Sequence, residues 1–154
     1  MEKQFTKQNK QFLICDDKKA LQLDAIHHYL TRSYWSKGIS KHLVENAIHH
    51  SLCFGLYLIE ANANQVQIGF ARVITDKATF GYLADVYVLP KFSGQGLGSE
   101  LISFVMQHPD LQGLRRFMLC TRDAHHLYRK FEFTGVNNPE IMMQINRPDI
   151  YLTH

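Results

Sequence analysis

The segment that most constrains this chain is YLADVYVLPKFSGQGLGSELISFVMQHP, residues 82–109. A strand-like run from Tyr82 to Leu89 stops at Pro90, and Leu97, Leu101 and Val105 then recur at helical spacing until Pro109. Between them Gly94, Gly96 and Gly98 alternate. Glycines at such a junction let successive backbone N–H groups and the helix N-terminus converge on one anion, a phosphate by preference. A turn of this kind also serves plain close packing of helix on strand, and pattern alone does not separate the two uses. Two other phosphate sites are excluded. A nucleotide-hydrolysing loop ends in Gly-Lys-Ser/Thr, whereas Gly98 is followed by Ser99-Glu100. A dinucleotide-binding turn follows the first strand, and this one comes after several strands and two helices.

Around the turn, residues 5–15 read as a first strand, with Asp16 and Asp17 as caps for a helix carrying Leu23, Ile26 and Leu30. Tyr34-Trp35-Ser36-Lys37-Gly38 is a loop with exposed aromatics, and Ser40 caps a second helix with Leu43, Val44, Ala47 and Ile48 on one side. Leu52 to Leu89 is a three-stranded meander broken at Ala61–Asn64 and at Asp76-Lys77. After the glycine turn come a strand over Phe117–Cys120, a helix capped by Asp123 that bears Ala124, Leu127, Tyr128 and Phe131, and a final strand around Ile141–Ile145. The order βααβββαβαβ predicts an α/β (α+β) fold, a mixed, mostly antiparallel sheet flanked by helices, in a single domain over residues 1–154.

Composition narrows the function. Hydrophobic residues are 45% of the 154-residue chain and charged residues 20%, enough apolar surface for a globular core. The formal charge of +3 is dispersed, so neither nucleic acid nor an anionic membrane is expected as a partner. The polar N-terminus lacks the apolar centre of a secretory signal, and the apolar stretch from Leu52 to Ile59 is too short to cross a membrane. Cys15, Cys53 and Cys120 sit in apolar runs and read as reduced core thiols of a cytoplasmic protein. No metal-ligand spacing is present. The doublets His27-His28, His49-His50 and His125-His126 are helix neighbours pointing about 100° apart, which does not make a shared metal site.

The run YLADVYVLPKFSGQGLGSELI resembles the acetyl-CoA-binding segment of the GNAT superfamily of N-acetyltransferases, and DAHHLYRKFEF resembles that family's second signature, with Ala124, Tyr128 and Phe133 at matching positions. The order of elements agrees over nearly the whole chain. Ser93 stands where the family usually has Arg or Gln, Glu132 replaces the glycine before Phe133, and Thr121 occupies a place often held by Asn.

The resemblance implies acetyl-CoA as co-substrate and no metal. Ser93, Gly94, Gln95, Gly96, Leu97, Gly98 and Ser99 would hold the pyrophosphate, with the Ser93 hydroxyl available as a donor. The main chain of Val86, Tyr87 and Val88 would pair with the pantetheine amides, and an N–H there would receive the oxyanion. Tyr128 is the implied proton donor to the departing thiolate; its place on an apolar stripe also suits a core aromatic. Tyr34, Trp35, Arg72, Tyr82 and Ala84 would form the acceptor site, although Trp35 also suits the core edge and Arg72 an ion pair with Asp76 or Asp85.

Many relatives carry a Glu or His base on the strand face shared here by Tyr82, Ala84 and Val86, which has no carboxylate. Strict alternation turns Asp85 to the other face, so no base is assigned and water, relayed through Tyr82, would take the amine's proton. The implied reaction is acetyl transfer to a primary amine of a small molecule, in a chain for which a homodimer is left open. A protein N-terminal or lysine acetyltransferase, and a non-catalytic acyl-CoA sensor, are the alternatives.

Overall fold

The computed structural model describes residues 1–152. A single six-stranded sheet runs β1 (Glu2–Lys7), β2 (Lys10–Cys15), β3 (Leu52–Ile59), β4 (Gln65–Thr75), β5 (Phe80–Val88) and β6 (Arg116–Leu119), in that spatial order. All neighbours are antiparallel except β5 and β6, joined by the right kind of connection for a parallel pair, a crossover through helix α3 (Leu97–Met106). The mixed, mostly antiparallel sheet flanked by helices is thus the expected fold class.

Helix α3 lies on one face, where Leu97, Leu101 and Val105 meet Phe12, Ile14, Phe54, Leu56 and Val73 in the main core. Helices α1 (Leu23–Leu30) and α2 (Lys41–His49) cover the other face, where Ile26, Leu30 and Val44 pack with Cys53, Phe70 and Tyr87. Helix α4 (His125–Arg129) returns to the first face through Tyr128. In β3, Gly55 is required by packing: a Cβ there would stand 2.2 Å from the Tyr57 hydroxyl.

The structure corrects the sequence reading at several places. Residues 5–15 are not one strand. Gln8 and Asn9 adopt φ of 49° and 62°, the left-handed pair of a tight hairpin, so the chain folds back and β1 pairs with β2 from Glu2↔Cys15 to Lys7↔Lys10. Asp17 caps only a short 3-10 turn, accepting from Lys19 N at 2.9 Å, while Asp16 takes the N-terminal amine at 2.6 Å; α1 begins later, at Leu23. Ser40 does cap α2, accepting from Leu43 N at 3.2 Å, but Leu43 faces solvent. Asp123 does not cap α4: the Thr121 hydroxyl accepts from Ala124 N at 3.0 Å instead. Cys120 is exposed, unlike Cys15 and Cys53. The strand expected at Ile141–Ile145 does not form, because among the described residues no strand lies alongside that segment; a 3-10 turn spans Pro139–Ile141, and every residue from Thr134 to Ile150 is exposed. Among the described residues no helix is long and apolar enough to cross a membrane.

Candidate active site

Two local irregularities in β5 create the site. The strand pairs with β6 only from Phe80↔Arg116 to Leu83↔Leu119, so beyond Leu83 the two strands part and leave the backbone of Ala84–Val88 without a neighbour on that side. On its other edge, β5 carries a bulge. Its register against β4 shifts between Ala84↔Arg72 and Tyr87↔Phe70, with Asp85 at φ 55°. Leu83 therefore joins the core under α3, while Tyr87, four positions on, is buried on the opposite face, with its ring 3.8 Å from that of Tyr29.

The bulge overturns the expected alternation. Asp85 turns to Arg72, the cross-strand partner of Ala84, and so lies on the side of Tyr82 and Ala84, while Val86, expected on their face, packs against the α3 core and still lines the cleft. Asp85 accepts from Trp35 Nε1 at 2.9 Å and from Arg72 Nε at 2.8 Å, and Arg72 Nη1 donates to Ser51 Oγ at 3.1 Å. The ion pair is sheltered: the two side chains are 16% and 9% exposed for Arg72 and Asp85. Of the two ion pairs considered for Arg72, the one with Asp85 forms. Trp35 remains at the surface and is held by its indole N–H.

The cleft that opens where β5 and β6 separate has a volume of about 1190 Å³. It brings together Tyr34, Trp35, Arg72, Tyr82, Ala84 and Tyr128, drawn from the α1–α2 loop, β4, β5 and α4. Across its mouth, the Arg122 guanidinium lies 3.8 Å from the Tyr34 ring centre, and Tyr34 meets Trp35 edge to face at 5.0 Å. The α1–α2 loop is thereby fastened to β5 and to the segment after β6. Asp123, read from sequence as a helix cap, lines the cleft and belongs to no ion pair among the described residues.

Tyr128 answers to both sequence readings. It is buried against Phe133, at 6.0 Å between ring centres, and it lines the cleft. Burial first, then the nearby Tyr34 and Asp123, push its phenol up to about 12. The group is therefore protonated across the neutral range. Complete transfer of its proton to a thiolate of ordinary pKa, about 8.5, is uphill, so its chemistry is that of a hydrogen-bond donor to developing negative charge. Burial and the Cys120 thiol likewise raise Tyr82 to about 12.

The glycine turn stands beyond the parted strands. Phe92 is buried beneath it, and Gly94 and Gly96 take φ of 77° and 78°, values that cost a side chain about 1–2 kcal/mol. A Cβ on Gly94 would meet nothing within 4 Å, so the turn is open on its outer side; one on Gly96 would stand 2.9 Å from Lys7 Nζ. Lys7 belongs to β1 and nothing near the turn in sequence points to it. The N–H and the hydroxyl of Ser93 both donate to the Pro90 carbonyl, at 3.1 and 2.8 Å, so Ser93, expected at the anion, has no free donor to offer there.

The chain as a whole has counterparts among known proteins. The acetyltransferase (GNAT) domain family matches residues 53–135. A curated protein of Gibberella zeae, named a presumptive acetyltransferase, is 34% identical, covering 86% of this chain and 88% of its own length. The chain is a GNAT-family acetyltransferase. A crystal structure of a presumptive GNAT acetyltransferase from Xanthomonas campestris is 45% identical with a TM-score of 0.85, covering 92% of this chain and 97% of the other. A predicted acetyltransferase of Clostridium acetobutylicum, solved with acetyl-CoA, shares the fold at 15% identity and a TM-score of 0.60, over 89% of this chain and 96% of that one. GNAT membership makes acetyl-CoA-dependent acyl transfer the activity of this enzyme.

Proposed function

We propose that the chain, as a single cytoplasmic catalytic domain, moves an acetyl group from acetyl-CoA to a primary amine of a small molecule held in the cleft. The observation that carries this reading is the alignment of three features: an open glycine turn, the unpaired edge of β5, and a walled cleft between them and Tyr128. The residues suit the donor. Backbone N–H groups from Gly94 to Ser99, at the start of α3, meet the pyrophosphate, and Lys7, which also pairs with Glu100 at 3.5 Å, stands beside Gly96. The unpaired main chain of Val86, Tyr87 and Val88 receives the pantetheine amides as an added strand would.

Acetyl-CoA supplies an activated thioester; the chain supplies placement and charge. An N–H of the β5 edge faces the developing oxyanion, and the Tyr128 phenol donates to the sulfur as its charge grows. On the acceptor side, Asp123 offers a carboxylate to the amine, and both oxygens of Asp85 are engaged in fixing Trp35 and Arg72. The amine's proton leaves to water at the cleft mouth. The two fastenings of the α1–α2 loop, Trp35 to Asp85 and Tyr34 to Arg122, wall the acceptor end and favour a small molecule over a peptide end.

The test is release of free thiol from acetyl-CoA across a panel of small amines, with lysine peptides alongside. Turnover with small amines and none with peptides is the expected result. Turnover only with peptides moves the acceptor to protein, and tight acetyl-CoA binding with no turnover anywhere makes the domain a sensor.

A further inference from the structure

Three arginines and two acids line the cleft, and their charges do not balance. Arg72 and Asp85 cancel each other in their ion pair. Arg32 and Arg122 then stand against Asp123, and none of the three belongs to an ion pair among the described residues. Arg32 is bonded only to main chain, its Nη1 donating to the His28 carbonyl at 2.9 Å. A cleft with a surplus guanidinium attracts an anion and repels a second cation.

Arg122 is the better placed of the two. A solvated arginine samples many positions, whereas this guanidinium is seated on the Tyr34 ring, which meets Trp35 edge to face, and Trp35 is in turn fixed by its bond to Asp85. Stacking uses the flat face of the guanidinium and leaves its in-plane N–H donors, which have no hydrogen-bond partner among the described residues. Those donors match the two oxygens of a carboxylate. Tyr34, the seat of Arg122, and Asp123 both stand near enough to the Tyr128 phenol to raise it, so the guanidinium and the reacting end of the cleft are close together. Tyr29, Trp35 and Tyr82 add an aromatic wall to the same cleft.

We propose that the acceptor is a small amine that also carries a carboxylate, an amino acid in chemical class, held with its carboxylate on Arg122, its apolar body on the aromatic wall and its amine toward Asp123 and Tyr128. The inference names the acceptor within the small-amine reading above and rests on it. A short molecule suits the closeness of the two ends, and Arg32 adds positive charge to the same cleft. A polyamine is the acceptor least suited, because its second cation meets two unpaired guanidiniums. A lysine within a peptide brings no carboxylate of its own to Arg122.

Matched pairs of acceptors test it: phenylalanine with phenethylamine, leucine with isopentylamine, and phosphoethanolamine with ethanolamine, each followed by thiol release from acetyl-CoA and corrected for the neutral fraction of its amine. For at least one amino acid kcat/KM should exceed that of its partner amine by about 10-fold or more. Arg122→Gln should bring that ratio down to about 1, and Arg122→Lys, which keeps the charge without the fork, should restore part of it. Arg122 is exposed, so neither substitution touches the core. If Arg122 only fastens the loop, both members of a pair slow together and the ratio stays, which overturns the proposal. Preference for the plain amines, for phosphoethanolamine or for spermidine overturns it too, and leaves the small-amine reading standing. Turnover confined to lysine peptides, or absent with every acceptor, removes both.

Discussion

The glycine turn and the cleft are built in opposite ways. The turn spans Ser93–Ser99, presents main-chain N–H groups, and holds its shape through glycine at positive φ and a buried Phe92. The side chain that departs from the family pattern, Ser93, is turned back to Pro90 by its hydroxyl and adds no donor to the turn. The cleft is made of side chains from segments far apart in sequence, Trp35, Arg72, Asp85 and Arg122 among them, and a single bulge decides which of these meet. A site of backbone donors tolerates side-chain drift, while a site of side chains depends on register.

The contrast is broken most severely by placing a side chain in the turn. Gly96→Glu puts a strained residue and a carboxylate beside Lys7, and acetyl-CoA affinity should fall by about 10²-fold or more, read by calorimetric titration of a variant whose fold is verified by circular dichroism. Equal affinity in the folded variant would move the donor site elsewhere. Next is Tyr128→Phe, for which single-turnover acetyl transfer should slow by about 10²-fold with acetyl-CoA affinity retained, since the ring still packs against Phe133. An unchanged chemical step would leave Tyr128 a core residue only.

Asp123→Asn sharpens the account of the cleft. KM for the amine should rise by about 10-fold with kcat nearly constant if, as proposed, the Asp123 carboxylate in the cleft meets the amine before reaction. The smallest effect is on stability at high pH. Burial raises the folded-state pKa of Tyr82 and Tyr128 to about 12, so their contribution is complete below the unfolded value of about 10 and is lost as pH rises toward 12. Thermal melts should be level in this respect up to about pH 10 and decline beyond it, with a shallower decline in Tyr128→Phe.

What the amino-acid sequence discloses follows the same division. The strand, glycine turn and α3 are contiguous, and their alternating glycines and helical leucines are readable without a structure. Tyr128 was recognisable only through its resemblance to a family signature. The bulge was not readable: Asp85 takes φ 55° with no glycine to mark it, and alternation placed it on the wrong face. The β1–β2 hairpin escaped for a similar reason, since Gln8-Asn9 fills the turn where Asn-Gly would have signalled it. Lys7 reaches Gly96 across the sheet, a contact set by topology alone. The strand pattern at Ile141–Ile145 is visible in the sequence, but among the described residues no strand of the sheet lies beside it.

Amide hydrogen exchange with and without acetyl-CoA tests the division between the two regions most directly. Donor alone should slow exchange at Gly94–Ser99 and at Val86–Val88, and leave Tyr34–Ser36 unchanged until an amine is added with a non-reactive donor analogue. Slowed exchange at Tyr34–Ser36 on adding donor alone, with the glycine turn unaffected, would contradict it.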